Sequence, residues 1–179
     1  GVGEPGGDGV PRGGNGGRAG SGERRGSGLA QGERQAMMTL GVGGRSPLRV
    51  GGDLPTCARE AIALLTNADV LQVLKASGGS RGVCGEGWLV VWQAVGGDGE
   101  SYVAAFNLGT ETLEVSLDTQ NVGLPATLTG EVRELWSGEV VATHEVSVQS
   151  DDARGVAPGS TAIPISIPAH GGRLLRHRP

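Results

Sequence analysis

The sequence has few aromatic residues and no long run of basic ones. Phenylalanine and tyrosine occur once each and tryptophan three times among 179 residues, and the formal net charge is -4 at pH 7. Nucleic-acid-binding proteins usually combine basic stretches, which neutralise phosphates, with aromatic side chains on which bases stack. We therefore expect no nucleic-acid partner, and we interpret the short basic patches at 24–25 and 173–178 as solvated surface.

Long apolar runs are also absent. No stretch approaches the roughly 18 to 20 consecutive apolar residues that a membrane-spanning helix requires. The first 28 residues contain no apolar run of the kind found in a secretory signal peptide. We therefore expect no membrane partner and no signal peptide in this sequence, which leaves the compartment unknown.

Cysteine and histidine are too sparse to indicate a metal site. Cys57 and Cys84 are the only thiols, and nothing in their positions indicates that they meet, so we favour two free thiols. A disulfide would be expected only in a secreted protein. His144 and His170 have no cysteine or second histidine at ligand spacing, so the sequence predicts no metal and no cofactor.

Glycine is the abundant residue, with 35 copies concentrated towards the start of the sequence. We expect residues 1–32 to form a disordered glycine-rich arm. Their few apolar side chains cannot offset roughly 1 to 2 kcal/mol of backbone entropy per ordered residue. An arginine-glycine segment that binds nucleic acid is an alternative interpretation, but the arm lacks the aromatic residues such segments use for stacking.

Apolar residues first recur at a regular spacing between residues 33 and 77. Helical spacing at 35–40, stopped by glycines at 41–44, predicts a first helix. Residues 46–50 suit one buried strand, and Pro55 and Thr56 open a second helix with a broad apolar face. Residues 66–69 offer a capping box for a third helix.

The remainder of the chain reads as strands. Residues 78–87 return to glycine and serine, which predicts a linker, and residues 88–179 alternate with period two between turn signals. Such a pattern is typical of an antiparallel β-sandwich. We expect about seven strands, near residues 88–92, 102–107, 113–117, 127–136, 140–148, 161–167 and 173–177.

Several short motifs follow one another in a recognisable order: SPL, GGDLP and LLTN within 46–67, then WLVVW, YVAAFN, VRELWSGE and IPAHGGRLLR. This series resembles the C-terminal part of melibiase-type alpha-galactosidases, glycoside hydrolase family 27. The resemblance covers about four fifths of the chain, from residue 33 to residue 176. It implies a mainly β chain with some α: a C-terminal antiparallel β-sandwich preceded by the last strand and helices of an incomplete (β/α)8 barrel.

The resemblance also implies an activity. Members of this family remove terminal alpha-linked galactose with retention, so a galactoside would be the substrate of the intact parent protein. An extracellular, vacuolar or lysosomal location and an oligomeric assembly are compatible with the family. A complete barrel needs about 250 residues, so most of it is not in this sequence. The two catalytic aspartates of the family lie on earlier strands, which implies no catalytic residue in this chain and no activity of the chain alone.

Asp53 is the one acidic residue just beyond the expected barrel strand. It either lines the rim of the substrate pocket in the intact barrel or caps the following turn and helix, and we favour the cap. The tryptophans at 88, 92 and 136 could stack on sugar rings, but their apolar neighbours favour a core position. We expect the acidic residues at 98, 114, 118 and 131 to face water. A stand-alone β-sandwich that binds carbohydrate or protein is the alternative to a hydrolase fragment.

Overall fold

Helices come first and strands follow in the structure, a computed structural model that describes residues 28–49, 59–126, 128–143 and 161–179. Most of the expected glycine-rich arm lies outside these residues. Among the described residues, no helix is long and apolar enough to cross a membrane. The elements are α1 Gln31–Gly43, α2 Arg59–Thr66, α3 Ala68–Ala76, β1 Gly78–Glu86, β2 Leu89–Val95, β3 Ser101–Asn107, β4 Leu113–Asp118, β5 Glu131–Glu134, β6 Val140–Thr143, β7 Ala162–Ile167 and β8 Gly172–Arg178.

The strands form two antiparallel sheets. The larger sheet has the order β1-β2-β3-β8-β5-β6, and the smaller sheet pairs β4 with β7. At the centre of the larger sheet, residues 101–106 of β3 pair with residues 172–177 of β8, about 70 positions later in the chain. The predicted fold class, mainly β with some α and a C-terminal antiparallel sandwich, is confirmed.

The sandwich core lies between the two sheets. Because side chains alternate across a strand, Val103 and Ala105 of β3 point towards the smaller sheet, where Ile163 and Ile165 of β7 meet them. Burying one such side chain contributes about 1.5 to 3 kcal/mol relative to leaving it in water. The buried core members are Val91, Val103, Ala105, Leu117, Val122, Leu124, Leu128, Val132, Ala142, Ile163, Ile165, Ile167 and Leu175.

The opposite face of the larger sheet is covered by α1 and α3. Val42 of α1 and Val70 and Val73 of α3 pack against Tyr102, Phe106 and other side chains of this face. The sequence predicted β2 to be apolar on both faces, and the structure agrees, since Val91 faces the sandwich core and Val90 faces the helices.

Polar contacts fix α3 to the sheet. The Asn67 side chain accepts a hydrogen bond from the Val70 backbone N–H at 3.1 Å, which caps the helix, and it donates to the Leu135 carbonyl at 3.0 Å. Asp69 in the first turn forms an ion pair with Arg176 of β8 at 3.1 Å. The predicted helix start is thus confirmed, but Asn67 caps it through Val70, and the Thr66 hydroxyl of the expected capping box donates to the Ile62 carbonyl instead.

Two expected elements differ in the structure. Residues 78–87 were expected to be a linker, but Gly78–Glu86 forms β1 and pairs with β2 along its length. Pairing uses backbone groups, which glycine and serine supply as well as apolar residues do, so side-chain patterning did not reveal this strand. Residues 46–49 were expected to begin a barrel strand, but they form none, because no strand of the described chain lies beside them to complete a ladder.

Candidate functional site

Three of the residues singled out from the sequence, Asp53, Cys57 and His144, lie outside the described residues. The two roles considered for Asp53, pocket rim and helix cap, therefore stay predictions. Within the ranges that the structure describes, no group of three or more histidine, cysteine, aspartate or glutamate side chains could hold a metal ion. His170 is exposed and occupies a turn with a positive φ of 51°.

Several described carboxylates that could serve chemistry already have structural partners. Asp69 is paired with Arg176. Glu134 is only 3% exposed, and its two carboxylate oxygens accept hydrogen bonds from the backbone N–H groups of Ser137 at 2.7 Å and Leu174 at 3.4 Å. Sequence reasoning missed Glu134, although its period-two spacing from the buried Val132 was a signal for an inward position.

Asp118 corrects the expectation that the acidic residues of the sandwich face water. It is 5% exposed at the end of β4, and its Oδ1 accepts hydrogen bonds from the backbone N–H groups of Gln120 at 2.8 Å and Asn121 at 3.2 Å. An aspartate that closes a turn in this way is held inward by the backbone donors it satisfies. Of the other three, Asp98 and Glu114 are exposed, and Glu131 is half-buried and paired with Arg133.

The most strongly perturbed pKa in the described chain belongs to Tyr102. Its hydroxyl is buried and donates a hydrogen bond to Glu100 at 2.8 Å, and Glu100 also pairs with Arg178 at 2.7 Å. Burial, followed by the bond to Glu100, raises the pKa of Tyr102 to about 12. Partial burial acts to raise the pKa of Glu100, but the hydrogen bonds from Tyr102 and Arg178 outweigh it and lower that pKa.

Asn107 organises the loop that follows β3. It is 2% exposed, and its amide nitrogen lies within hydrogen-bond distance of the carbonyls of Glu111, Ile167 and Pro168, at 2.7 to 3.1 Å. Its Oδ1 accepts from the Gly109 N–H at 2.8 Å. One buried side chain thereby joins the β3–β4 loop to the end of β7, a role for which the sequence offered only the Asn-Leu-Gly turn signal.

The three tryptophans do not share the core position expected for them. Trp136 is half-buried, and its Nε1–H donates to the Thr39 hydroxyl of α1 at 2.9 Å. Trp92 is half-buried against the helix-covered face of the sheet. Trp88, in contrast, is 66% exposed. It lies in the turn between β1 and β2.

Open clefts formed by described residues of the sandwich include the following two. One, of about 290 Å³, is lined by Glu134, Ser137, Glu139, Val141, Pro164, Ile165, Ser166 and Arg173. The other, of about 220 Å³, lies between β1 and β4 and is lined partly by Glu86, Ser116 and Asp118. It also contains Cys84, which was expected in a loop but lies in β1, and partial burial raises the pKa of its thiol. A raised pKa disfavours the nucleophilic thiolate, so Cys84 is not an activated cysteine.

Comparisons with known proteins agree with this architecture. The family described as "Alpha galactosidase C-terminal beta sandwich domain" matches residues 86–177. Alpha-galactosidase D of Emericella nidulans is 28% identical over 117 residues, which are 63% of this chain and 18% of that protein. The chain thus spans less than a fifth of the length of this relative.

Solved structures give the same result over a longer part of the chain. A GH27 β-L-arabinopyranosidase of Geobacillus stearothermophilus superposes with a TM-score of 0.73 and 28% identity, over 90% of this chain and 33% of that one. A protein from Bacillus halodurans, described as a putative alpha-N-acetylgalactosaminidase, gives 0.71 and 25%, over 87% of this chain and 34% of that one. From the match over half of its length, together with its two-sheet fold, the chain belongs to the family of the C-terminal β-sandwich domain of alpha-galactosidase-like glycoside hydrolases.

Proposed function

We propose that this chain is the C-terminal part of a glycoside hydrolase that removes terminal alpha-linked galactose with retention of configuration. The main support for this proposal is the extent of the structural similarity. The family match covers residues 86–177, about half of the chain, whereas the similarity to the arabinopyranosidase covers 90% of it. A similarity of that extent must include the helical part as well as the sandwich. This supports the proposal that the helices belong to the same larger enzyme as the sandwich.

Exposed apolar side chains on the helices support the same proposal. Met37 and Leu40 of α1 are 63% and 51% exposed, and Ile62 of α2 is 38% exposed, while no side chain of α2 is fully buried. Large side chains grouped on one helix face in this way are typical of a surface that another body covers. Since the matched part is only a third of the arabinopyranosidase chain, a barrel is the body we assign to that surface.

This assignment defines the domains that we propose. Residues 33–77 contribute the closing helices of the barrel, and residues 88–179 form the sandwich, to whose larger sheet the intervening β1 adds an edge strand. The ion pair between Asp69 and Arg176 and the hydrogen bond from Trp136 to Thr39 fasten the helices to the sandwich. The sandwich therefore acts as a support against which the last part of the barrel is held.

The chemistry of a retaining glycosidase explains why the catalytic groups are assigned to the barrel. Retention requires two carboxyl groups about 5 to 5.5 Å apart, one as nucleophile and one as acid and base. In a barrel they stand at the carboxyl ends of strands, in a pocket that excludes water. Among the described residues, Asp69, Glu100 and Glu134 are bound to structural partners instead. We therefore propose that this chain alone is inactive, with Asp53 at most at the rim of the barrel pocket.

The test compares the 179-residue chain with a parent protein that includes the upstream barrel. An aryl alpha-galactoside is incubated with each, and release of the aryl group is measured. We expect turnover by the parent and none above background by the chain, and we expect the α-anomer of galactose to form first. Turnover by the chain that disappears in an Asp53→Asn variant would show that the active site is misplaced and would refute the proposal.

A binding module without catalytic activity is the second candidate, and the exposed indole of Trp88 favours it. The two candidates differ in the coding sequence upstream of the first residue. An upstream barrel with two aspartates at strand ends supports the hydrolase. A start codon there with no open frame behind it supports the module.

A further inference from the structure

Trp88 is exposed, but the turn that carries it is firmly held. Gly87 adopts the positive φ of 58° that the turn requires, and the Leu108 N–H donates to the Trp88 carbonyl at 2.8 Å. Gly109 lies so close that a Cβ added there would be 3.1 Å from the Trp88 Cγ. Asn107 fixes Gly109 in turn through its side chain. The base of the indole is therefore positioned before any ligand arrives, which lowers the entropy cost of binding.

Polar residues occur in the loops beside the turn that carries Trp88. The His170 N–H donates to the Gly109 carbonyl at 3.1 Å, which places the exposed His170 beside the glycine that contacts Trp88. Glu111 follows Gly109 closely in the same loop and is also exposed. Leu108, 55% exposed, is the large apolar residue of that loop, and its backbone N–H donates to the Trp88 carbonyl. A protein interface usually has a contiguous apolar core, whereas a sugar ring needs one flat apolar surface with hydrogen-bonding groups at its edge.

We propose that Trp88 is a surface binding site for a galacto-configured pyranose, with the loop of Leu108 and Gly109 beside the turn that carries it and the turn of His170 next to that loop. The choice of sugar rests on the proposed function. In such a sugar the axial 4-hydroxyl leaves the C–H groups of carbons 3, 4 and 5 together on one face, and a flat indole covers that face. The site lies on the sandwich, so it holds a galactoside independently of the barrel pocket.

The test uses the three indole N–H signals in the nuclear magnetic resonance spectrum of the 179-residue chain, with the Trp88→Phe variant to assign one of them. Methyl α-D-galactopyranoside is the probe. We expect millimolar sugar to shift the Trp88 signal and leave the Trp136 signal in place, because the Trp136 Nε1–H is hydrogen-bonded to Thr39.

Variants measured by calorimetry separate stacking from other causes. Trp88→Ala should weaken sugar binding about tenfold or more, since it removes most of the apolar area that the sugar covers. Trp88→Phe should retain most of the affinity because it keeps a flat ring. The matched control is Met37→Ala, which removes an equally exposed apolar side chain from α1 and should leave binding unchanged.

Three results would overturn the proposal. One is a Trp88 signal that does not respond to the galactoside. Another is an equal response to methyl α-D-glucopyranoside, which differs only at carbon 4. The third is a Trp88 signal that moves with protein concentration in the absence of sugar, because that would assign the surface to self-association. Hydrolysis by the parent protein is measured separately, so an inactive parent with a responding Trp88 refutes the proposed function and leaves the sugar site standing.

Discussion

Tyr102 allows the electrostatics of the fold to be tested at a single group, because it is the only tyrosine in the chain. Its pKa of about 12 in the folded protein compares with about 10 in an unfolded chain. Above pH 10 the unfolded state therefore releases a proton that the folded state retains, and stability falls as the pH rises. A difference of two pKa units corresponds to about 3 kcal/mol, and about half of it is lost by pH 11.

The perturbation is Tyr102→Phe, which removes the hydroxyl and leaves the ring in the core. At pH 7 the variant loses a hydrogen bond to an ionised carboxylate, and we expect it to be about 1 to 2 kcal/mol less stable than the native chain. Between pH 10 and 12 ionisation of the phenol lowers the stability of the native chain but not that of the variant, which has no phenol. The free energies of unfolding of the two proteins should therefore converge near pH 11.

Two measurements check this reasoning. Near-ultraviolet absorbance of the phenolate gives the pKa of Tyr102 directly, and urea unfolding of both proteins gives the gap in stability at each pH. A phenol that titrates near pH 10 while the chain is folded would refute the argument, as would a gap that stays constant from pH 7 to pH 11. In a Glu100→Gln variant the pKa of Tyr102 should fall, because the carboxylate that opposes ionisation of the phenol is gone.

Three further predictions concern the fold. Gly130→Ala should lower the free energy of unfolding by about 3 kcal/mol or more, because φ is 85° and an added Cβ would meet the Arg178 carbonyl. Gly138→Ala, where φ is 76° but the space is open, should lower it by only about 1 kcal/mol. Urea unfolding measures both. Asn107→Ala should cost about 2 to 3 kcal/mol in the same assay, because it leaves buried carbonyls without donors. A loss below roughly 0.5 kcal/mol, the size expected for a neutral surface substitution, would contradict the hydrogen-bond network described for Asn107. Amide hydrogens of α2 should exchange much faster than those of β3, because no α2 side chain is fully buried whereas nearly every β3 residue is, and equal protection would show that α2 is covered.

The sequence by itself determined the parts of this protein that depend on local chemistry. Helical spacing and the glycine cluster predicted α1, the capping signal at 66–69 predicted the start of α3, and period-two alternation predicted the sandwich strands. These features depend on neighbours a few positions away, so composition and spacing reveal them. The motif order likewise predicted the family, which the match over residues 86–177 confirmed.

Only the tertiary structure decided the features that depend on distant partners. β1 was not visible in the sequence, because its glycine-rich backbone is ordered by pairing with β2 and carries little apolar pattern. The burial of Asp118 and the exposure of Trp88 reversed what residue type and alternation predicted. In each case a neighbouring group decides the outcome. Backbone N–H donors hold the Asp118 carboxylate inward, and the residue next to Trp88 in space is Gly109, which has no side chain to cover the indole. Such partners are chosen by the packing of the whole chain, and no local pattern records them.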